Sequence, residues 1–385
     1  MTRPIVFNGK FYSGTLNGVH RVADRLIREV DRLLGELPPA RRTDARLFLP
    51  KRRSWTPELH SIALVEQTLG HTQLWEQCVL PVRARRAVIV NLCNLAPLLA
   101  RNNVLLLHDA QFLFPDSSYP LRRQWGHRIL TPAMMRGSAG ALTVSQYSRQ
   151  IIDLTGICPR DRVSVLYNGA DHILDVVAAP DALDRYELAG GSYVLMFGST
   201  KRYKNVQVVF EAFRSAALGD LRLVIVGEGE ADHVAARIVP PPNAMFIGRI
   251  GDDVLRGLYE KAVCLAMPSR TEGFGLPPLE AMRLGCPALV APAGAMPEIY
   301  RDAVRYADVD DPEDWVEGIR ALADDKAYRR AKVEAGLHRA AEFTWARAGS
   351  RLLEIVLALA ADGSHDPVSS QEGTVVPVEQ GRGKA

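Results

Sequence analysis

Short apolar runs alternate along the chain with turns rich in glycine and polar residues, and many turns lead into stretches with apolar positions every three or four residues. Ile5-Val-Phe is followed by Gly14-Thr-Leu-Asn-Gly18 and then by Val22, Leu26, Val30 and Leu33, which predicts a strand, a loop and a helix from about Val19. Val104-Leu-Leu-Leu ends at His108-Asp109, and Ala141-Leu-Thr-Val runs into Ser145-Gln-Tyr-Ser148, a capped helix start. Val163-Ser-Val-Leu-Tyr leads to the turn Asn168-Gly169-Ala-Asp171. After a linker over about 173–191 the pattern resumes with Tyr193-Val-Leu-Met-Phe-Gly198 and a helix carrying Val206, Val209, Phe210 and Phe213. Leu221 to Val226, Met245-Phe-Ile-Gly248, Ala262 to Met267 and Pro287-Ala-Leu-Val are further strands. Such alternation predicts α/β units with parallel sheets, in two Rossmann-like domains over residues 1–175 and 190–343. A terminal helix at 344–361 follows, and the Gly-, Ser-, Pro- and Gln-rich segment 362–385 is expected to be disordered.

The most informative stretch is Pro268-Ser-Arg-Thr-Glu272-Gly-Phe-Gly-Leu-Pro277-Pro278-Leu-Glu280-Ala-Met-Arg-Leu-Gly285. It predicts a strand end, a glycine loop and a short helix opening at Pro277/Pro278, where proline forfeits no helical hydrogen bond, and closing at Gly285. Loops of this kind lie at the carboxyl ends of parallel strands, where amide N–H groups and the helix dipole favour phosphate. Glu272 and Glu280 flank the glycines with seven residues between them. A carboxylate only accepts hydrogen bonds and suits sugar hydroxyls; a helix-dipole acid and a solvated loop acid are the plainer alternatives.

This arrangement resembles the E-x7-E signature of retaining, nucleotide-sugar-dependent glycosyltransferases of family 4, which have the GT-B fold. The resemblance runs nearly continuously from Tyr193 to about Asp311 and more weakly over the first half. It implies two Rossmann-like domains facing a central cleft, with the terminal helix crossing back to the first. It also implies that Glu272 holds hydroxyls of the donor sugar, Glu280 the ribose diol, and Gly273, Phe274, Gly275 and Leu276 the rest of the donor loop. Lys204 in Gly198-Ser-Thr-Lys-Arg-Tyr-Lys204 matches the phosphate-binding lysine; Ser199 stands where many members have arginine, leaving Arg202 as a replacement. Arg249, after the Met245–Gly248 strand, falls where the base commonly rests. Gly14 and Gly18 resemble the amino-terminal glycine loop against the diphosphate, although a structural turn accounts for them equally. His108 matches a histidine near the donor sugar, and Asp109 beside it is an acceptor-side candidate. Glu298, in Gly294-Ala-Met-Pro-Glu298, is read as capping the next helix.

On this resemblance the reaction is metal-independent sugar transfer with retention, without a cofactor. GDP-mannose is the first choice of donor, because Gly-Phe-Gly-Leu-Pro-Pro-Leu-Glu resembles mannosyl- and rhamnosyltransferases of bacterial surface-polysaccharide assembly; a UDP-sugar or dTDP-rhamnose stays open. The acceptor class is a saccharide or a polyprenyl-diphosphate-linked saccharide. A non-catalytic GT-B scaffold or membrane-surface partner is the competing reading. Asp308-Val-Asp310-Asp311 has the spacing of a metal-binding D-x-D, but it precedes Pro-Glu-Asp-Trp315 and is read as a helix-capping cluster.

Composition narrows the class. With 385 residues, 47% apolar and 24% charged, the chain suits a two-domain globular protein. Five scattered cysteines give neither a disulfide framework nor a zinc pattern. The start Met-Thr-Arg-Pro-Ile-Val-Phe lacks a signal-peptide apolar region, so a cytoplasmic protein, at most peripheral to a membrane, is expected. Residues 1–150 carry 21 Lys and Arg against 10 Asp and Glu, and the remainder 26 against 34. Arg21, Arg25, Arg28 and Arg32 form a stripe on the first helix, followed by Arg41, Arg42, Lys51, Arg52 and Arg53. Anionic lipid or a lipid diphosphate could meet such a stripe, and a solvated, paired face is the alternative. No nucleic-acid partner is expected. Arg122, Arg123, Arg128 and Arg136 lie on a helix over about Leu121–Met135, behind the aromatic, proline-rich segment 110–120.

Overall fold

A computed structural model describes residues 2–38, 42–68, 70–113, 121–190 and 192–361, with the side chains of 111 and 121–125 left out. The aromatic segment's 114–120, Arg41, Arg122, Arg123 and the segment 362–385 therefore lie outside what is described.

Two parallel sheets form the frame. The first comprises Ile5–Asn8 (β1), Ala45–Pro50 (β2), Ala63–Gln67 (β3), Val88–Asn91 (β4), Asn103–Leu107 (β5), Gly140–Thr143 (β6) and Val163–Val165 (β7), in the order β3-β2-β1-β4-β5-β6-β7. The second comprises Tyr193–Gly198 (β8), Arg222–Gly227 (β9), Ala244–Gly248 (β10), Cys264–Met267 (β11), Ala288–Val290 (β12) and Arg305–Tyr306 (β13), in the order β10-β9-β8-β11-β12-β13. In each sheet the chain winds outward one way and then returns to the first strand's other side. The reversals lie between β1 and β4 and between β8 and β11, where open parallel sheets have their crevices.

Strands flanked by helices on both faces must be apolar throughout. Val104 to Leu107 and Val194 to Met196 are accordingly buried. The helix Gly18–Glu36 starts one residue before expectation because the Asn17 side chain caps it, accepting from His20 N at 3.0 Å. Leu34, rather than Leu33, completes its buried face with Val22, Leu26 and Val30.

The turn Asn168–Asp171 meets the start of the terminal helix, where Ala170 N donates to Phe343 O at 3.1 Å. A Cβ on Gly169 would collide with the backbone of Trp345, so glycine lets the helix Trp345–Ala361 begin there. Asp171 Oδ1 accepts from Trp345 N at 2.8 Å. The helix then packs along Gly18–Glu36, and Arg3 N donates to Ala360 O at 2.9 Å.

The arginine stripe is largely engaged within the protein. Arg21 makes a bidentate bridge to Asp252 of the second domain, at 2.5 and 2.8 Å. Arg28 pairs with Asp24 at 2.8 Å, and Arg32 with Glu29 and Glu36. Among the described residues, no helix is long and apolar enough to cross a membrane, and the five cysteines are free thiols.

Candidate active site

The loop after β11 and the loop after β8 meet at the second sheet's reversal point. Lys204 Nζ lies 2.6 Å from Glu272 Oε1. Burial alone would lower the lysine's pKa, but Glu272, the Tyr203 ring and Asp109 more than offset it and hold the ammonium charged. Arg270 N donates to Tyr203 O at 2.7 Å, tying the two loops by backbone.

Glycine is required in this loop. Gly275 has φ +83°, and a Cβ there would collide with the Tyr300 hydroxyl, which donates to Gly275 O at 2.6 Å. The helix begins at Leu276 with Pro277 and Pro278 in its first turn and runs to Arg283. Gly294, at φ +64°, packs against the Glu272 backbone, and Ala295 N donates to Glu272 O at 3.0 Å.

The first domain completes the loop. A Cβ on Gly273 would collide with His108 O, so the glycine rests on the end of β5. Ser145 caps the helix Gln146–Leu154 by accepting from Ser148 N at 3.0 Å, and its hydroxyl donates to Gly273 O at 2.7 Å. Glu298 does not cap the next helix, as expected from sequence. It lies inside the helix Met296–Tyr300 and caps the first domain's Gln146–Leu154, accepting from Gln146 N and Tyr147 N, each at 2.8 Å. The Tyr167 hydroxyl donates to Glu298 Oε1 at 2.8 Å. The sequence signal was the acid itself; its target was not local.

His108 is 7% exposed, and its Nε2 lies 2.8 Å from Leu92 O. A carbonyl only accepts, so Nε2 carries the proton and Nδ1 has a free lone pair. Burial lowers the ring's pKa to about 4 despite that hydrogen bond, so it is neutral at pH 7. Asp109 is half-buried and close enough to Lys204 to act on its charge.

Glu280 is 6% exposed. His172 Nε2 lies 3.1 Å from Glu280 Oε1, and the Tyr259 hydroxyl 3.4 Å from Oε2. Trp345 Nε1 donates to His172 Nδ1 at 3.1 Å, which puts the imidazole proton on Nε2, toward Glu280. Arg21 is near enough for Glu280 to help hold its guanidinium charged, and its bridge to Asp252 closes this side of the cleft. Sequence patterns did not show these partners, because His172 comes from the end of the first domain, Trp345 from the crossover, Arg21 from the first domain's opening helix and Tyr259 from a separate helix of the second domain.

The remaining candidates lie in both domains. Ser199 is half-buried and accepts from Lys201 N at 3.4 Å, and Arg202 is exposed in the turn that carries Lys204. Arg249 is exposed beyond β10. Gly18 is exposed with open space where a Cβ would stand, whereas a Cβ on Gly14 would lie 3.2 Å from His20 Cε1. Phe274 is buried, with its ring 5.7 Å from that of Phe343. The acidic cluster at 308–311 is a turn: Asp308 accepts from Asp310 N at 2.8 Å, Asp310 pairs with Arg270, and Asp311 caps Pro312–Asp324.

Residues 186–339 match the family model of glycosyl transferases group 1. The chain is 30% identical over 215 residues to O-antigen chain mannosyltransferase B of Escherichia coli, covering 53% of this chain and 56% of that protein. It is 28% identical over 294 residues to the D-inositol 3-phosphate glycosyltransferase of Streptosporangium roseum, covering 69% and 63%. The matches thus span less than two thirds of either relative. Among solved structures, sucrose-phosphate synthase from Thermosynechococcus elongatus superposes with a TM-score of 0.69 at 15% identity, over 93% of this chain and 99% of that one. The two facing parallel-sheet domains are the GT-B fold.

Proposed function

We propose, with residues 186–339 assigned to the glycosyl transferases group 1 as the premise, that the protein is a retaining glycosyltransferase acting in polysaccharide or glycolipid assembly. The observation that carries this reading is the Lys204–Glu272 pair at 2.6 Å, set in a glycine loop at the second sheet's reversal point. In this reading Lys204 and the loop amides receive the departing diphosphate, and Glu272 holds hydroxyls of the transferred sugar. Preorganised charge of this kind stabilises the anion that develops as the glycosidic bond breaks. Arg202 supplements Lys204 where Ser199 offers no charge, and Arg249 and Glu280 border the nucleoside.

Glu280 is covered in the closed cleft, so a ribose reaches it only once the Arg21–Asp252 bridge opens. The neutral His108 lends Nδ1 as an acceptor beside the sugar, with Asp109 on the acceptor side. No step needs a metal ion. The donor reading is GDP-mannose, supported by the O-antigen mannosyltransferase relative. A UDP-sugar donor is the alternative within the same activity. The site faces the cytoplasm in this reading, and the acceptor is a saccharide, free or carried on a polyprenyl diphosphate at the membrane surface.

The test is thermal shift with a panel of nucleoside diphosphates and their sugars, on wild type, Lys204→Ala and Glu280→Ala. A ligand that binds only the folded state raises the apparent stability. GDP and GDP-mannose should stabilise the wild type and lose most of that effect in both variants. Selectivity for UDP would replace the donor and keep the reaction. Silence across the panel would overturn the enzymatic reading in favour of a non-catalytic scaffold.

A further inference from the structure

The first sheet also has a reversal point, between β1 and β4, and a cavity of about 220 Å³ opens there. Its polar wall joins Asn8 and Lys10, two residues apart, to Glu76, 66 residues beyond Lys10. Lys10 Nζ lies 2.6 Å from Glu76 Oε2. Asn8 Nδ2 donates to Glu76 Oε1 at 2.8 Å and to Asn91 Oδ1 at 3.0 Å, while Asn8 Oδ1 accepts from Lys10 N at 3.2 Å. Glu76 is 3% exposed, so its charge is balanced locally by Lys10.

Opposite stand His20 and Phe11, with ring centres 5.7 Å apart. His20 Nδ1 lies 2.8 Å from Thr15 O, which assigns the proton to Nδ1 and leaves Nε2 an acceptor. Burial lowers the His20 pKa against that bond, so the ring is neutral at pH 7. Gly14 keeps this wall open, since a Cβ would press on the imidazole. Leu92, also in the wall, supplies the carbonyl that holds His108, and His108 in turn supports Gly273 of the donor loop.

The charge balance discriminates between ligand classes. A hydroxyl donates and accepts at once, so one group can give its proton to Glu76 and take one from Lys10. A phosphate only accepts, and would meet a carboxylate directly behind the lysine and a neutral imidazole opposite. We infer that this cavity receives the acceptor as an uncharged sugar unit, held by hydroxyls on the Lys10–Glu76 pair, and not as a phosphorylated polyol. The inference rests on the glycosyl-transfer reading and deepens it by naming the chemistry of the acceptor unit. The ring pair of Phe11 and His20 offers an apolar flank for the sugar's C–H face.

The experiment uses the full chain with the nucleotide sugar that stabilises it, and matched probes: methyl α-mannoside against mannose 6-phosphate, and myo-inositol against its 3-phosphate. Nucleotide release without acceptor reports donor turnover separately, so a silent donor panel refutes the glycosyl-transfer reading itself. With donor turnover present, the uncharged probes should raise release or form product at a KM at least tenfold below their phosphorylated partners. Lys10→Met should raise the KM for the uncharged probe tenfold or more, with acceptor-free release within twofold of wild type. Glu76→Gln leaves Lys10 without its counter-charge and should shift preference toward the phosphorylated probes at least tenfold. Equal or better use of phosphorylated probes by the wild type overturns the inference. So does failure of every uncharged probe while the donor is turned over, or a Lys10→Met protein with unchanged KM.

Discussion

The two glycine loops that border the cleft are built on opposite principles. In the second domain, Gly273, Gly275 and Gly294 are each pressed against another group: His108 O, the Tyr300 hydroxyl and the Glu272 backbone. In the first domain, Gly18 faces open space, and a Cβ on Gly14 would meet nothing closer than the edge of His20 at 3.2 Å. One loop is fixed in shape before any ligand arrives, whereas the other is left clear. Preorganisation belongs where charge must be stabilised without rearrangement, and open backbone belongs where a ligand must pass or settle.

Paired substitutions break this comparison most directly. Gly275→Ala combines a left-handed backbone with a collision and should cost about 3 kcal/mol of stability, read by denaturant unfolding. A loss below about 0.5 kcal/mol would show that the loop is not held as described. Gly18→Ala stands at a helix start with room for a methyl, so it should be neutral or stabilising by about 0.5 kcal/mol while slowing donor turnover. The opposite signs are the diagnostic.

Acid should loosen the fixed loop through its platform. The folded protein holds His108 near pKa 4, below the usual 6.5, so the unfolded chain binds the extra proton first as pH falls. The stability contributed by the neutral ring is fully present above about pH 6.5 and is lost as pH falls toward 4. The total is about 3 kcal/mol, from about 1.4 kcal/mol for each pKa unit. Comparing unfolding of wild type and His108→Gln between pH 7 and 4.5 isolates it; equal slopes would remove His108 as the cause.

The cross-domain cap gives a smaller effect. Glu298→Gln keeps the shape but loses the charge at a helix N-terminus, and should cost about 1 to 2 kcal/mol. Because Tyr167 shares that carboxylate, the Tyr167→Phe and Glu298→Gln losses should be less than additive. If the clamp sharpens the donor loop, kcat should fall more than nucleotide affinity; an equal fall in both would make the cap purely structural.

The two halves also differ in how much of them could be read from sequence. In the second domain a strand, a glycine turn and a helix follow one another within a few residues, so periodicity and proline placement located β8, β9, β10, β11 and β12. In the first domain β2, β3 and β4 escaped the reading. β3 is an edge strand whose Ala63, Leu64 and Glu66 are exposed, so its apolar pattern is weak. Leu121–Gly137 runs two residues beyond expectation, with Pro132 inside it.

What the sequence determined by itself is local: where strands meet glycine loops, where proline and asparagine start helices, and that Glu272, Glu280 and Lys204 sit at such junctions. Tertiary structure alone decided the partners. It set Lys204 against Glu272, buried Glu280 between His172 and Tyr259, sent Arg21 across the cleft to Asp252, and turned Glu298 toward a helix 152 residues away. It likewise joined Lys10 to Glu76. The reason is physical: backbone preference and hydrophobic period act over one or two turns, whereas the pairing of a buried charge is decided by whichever distant element packing brings within about 3 Å.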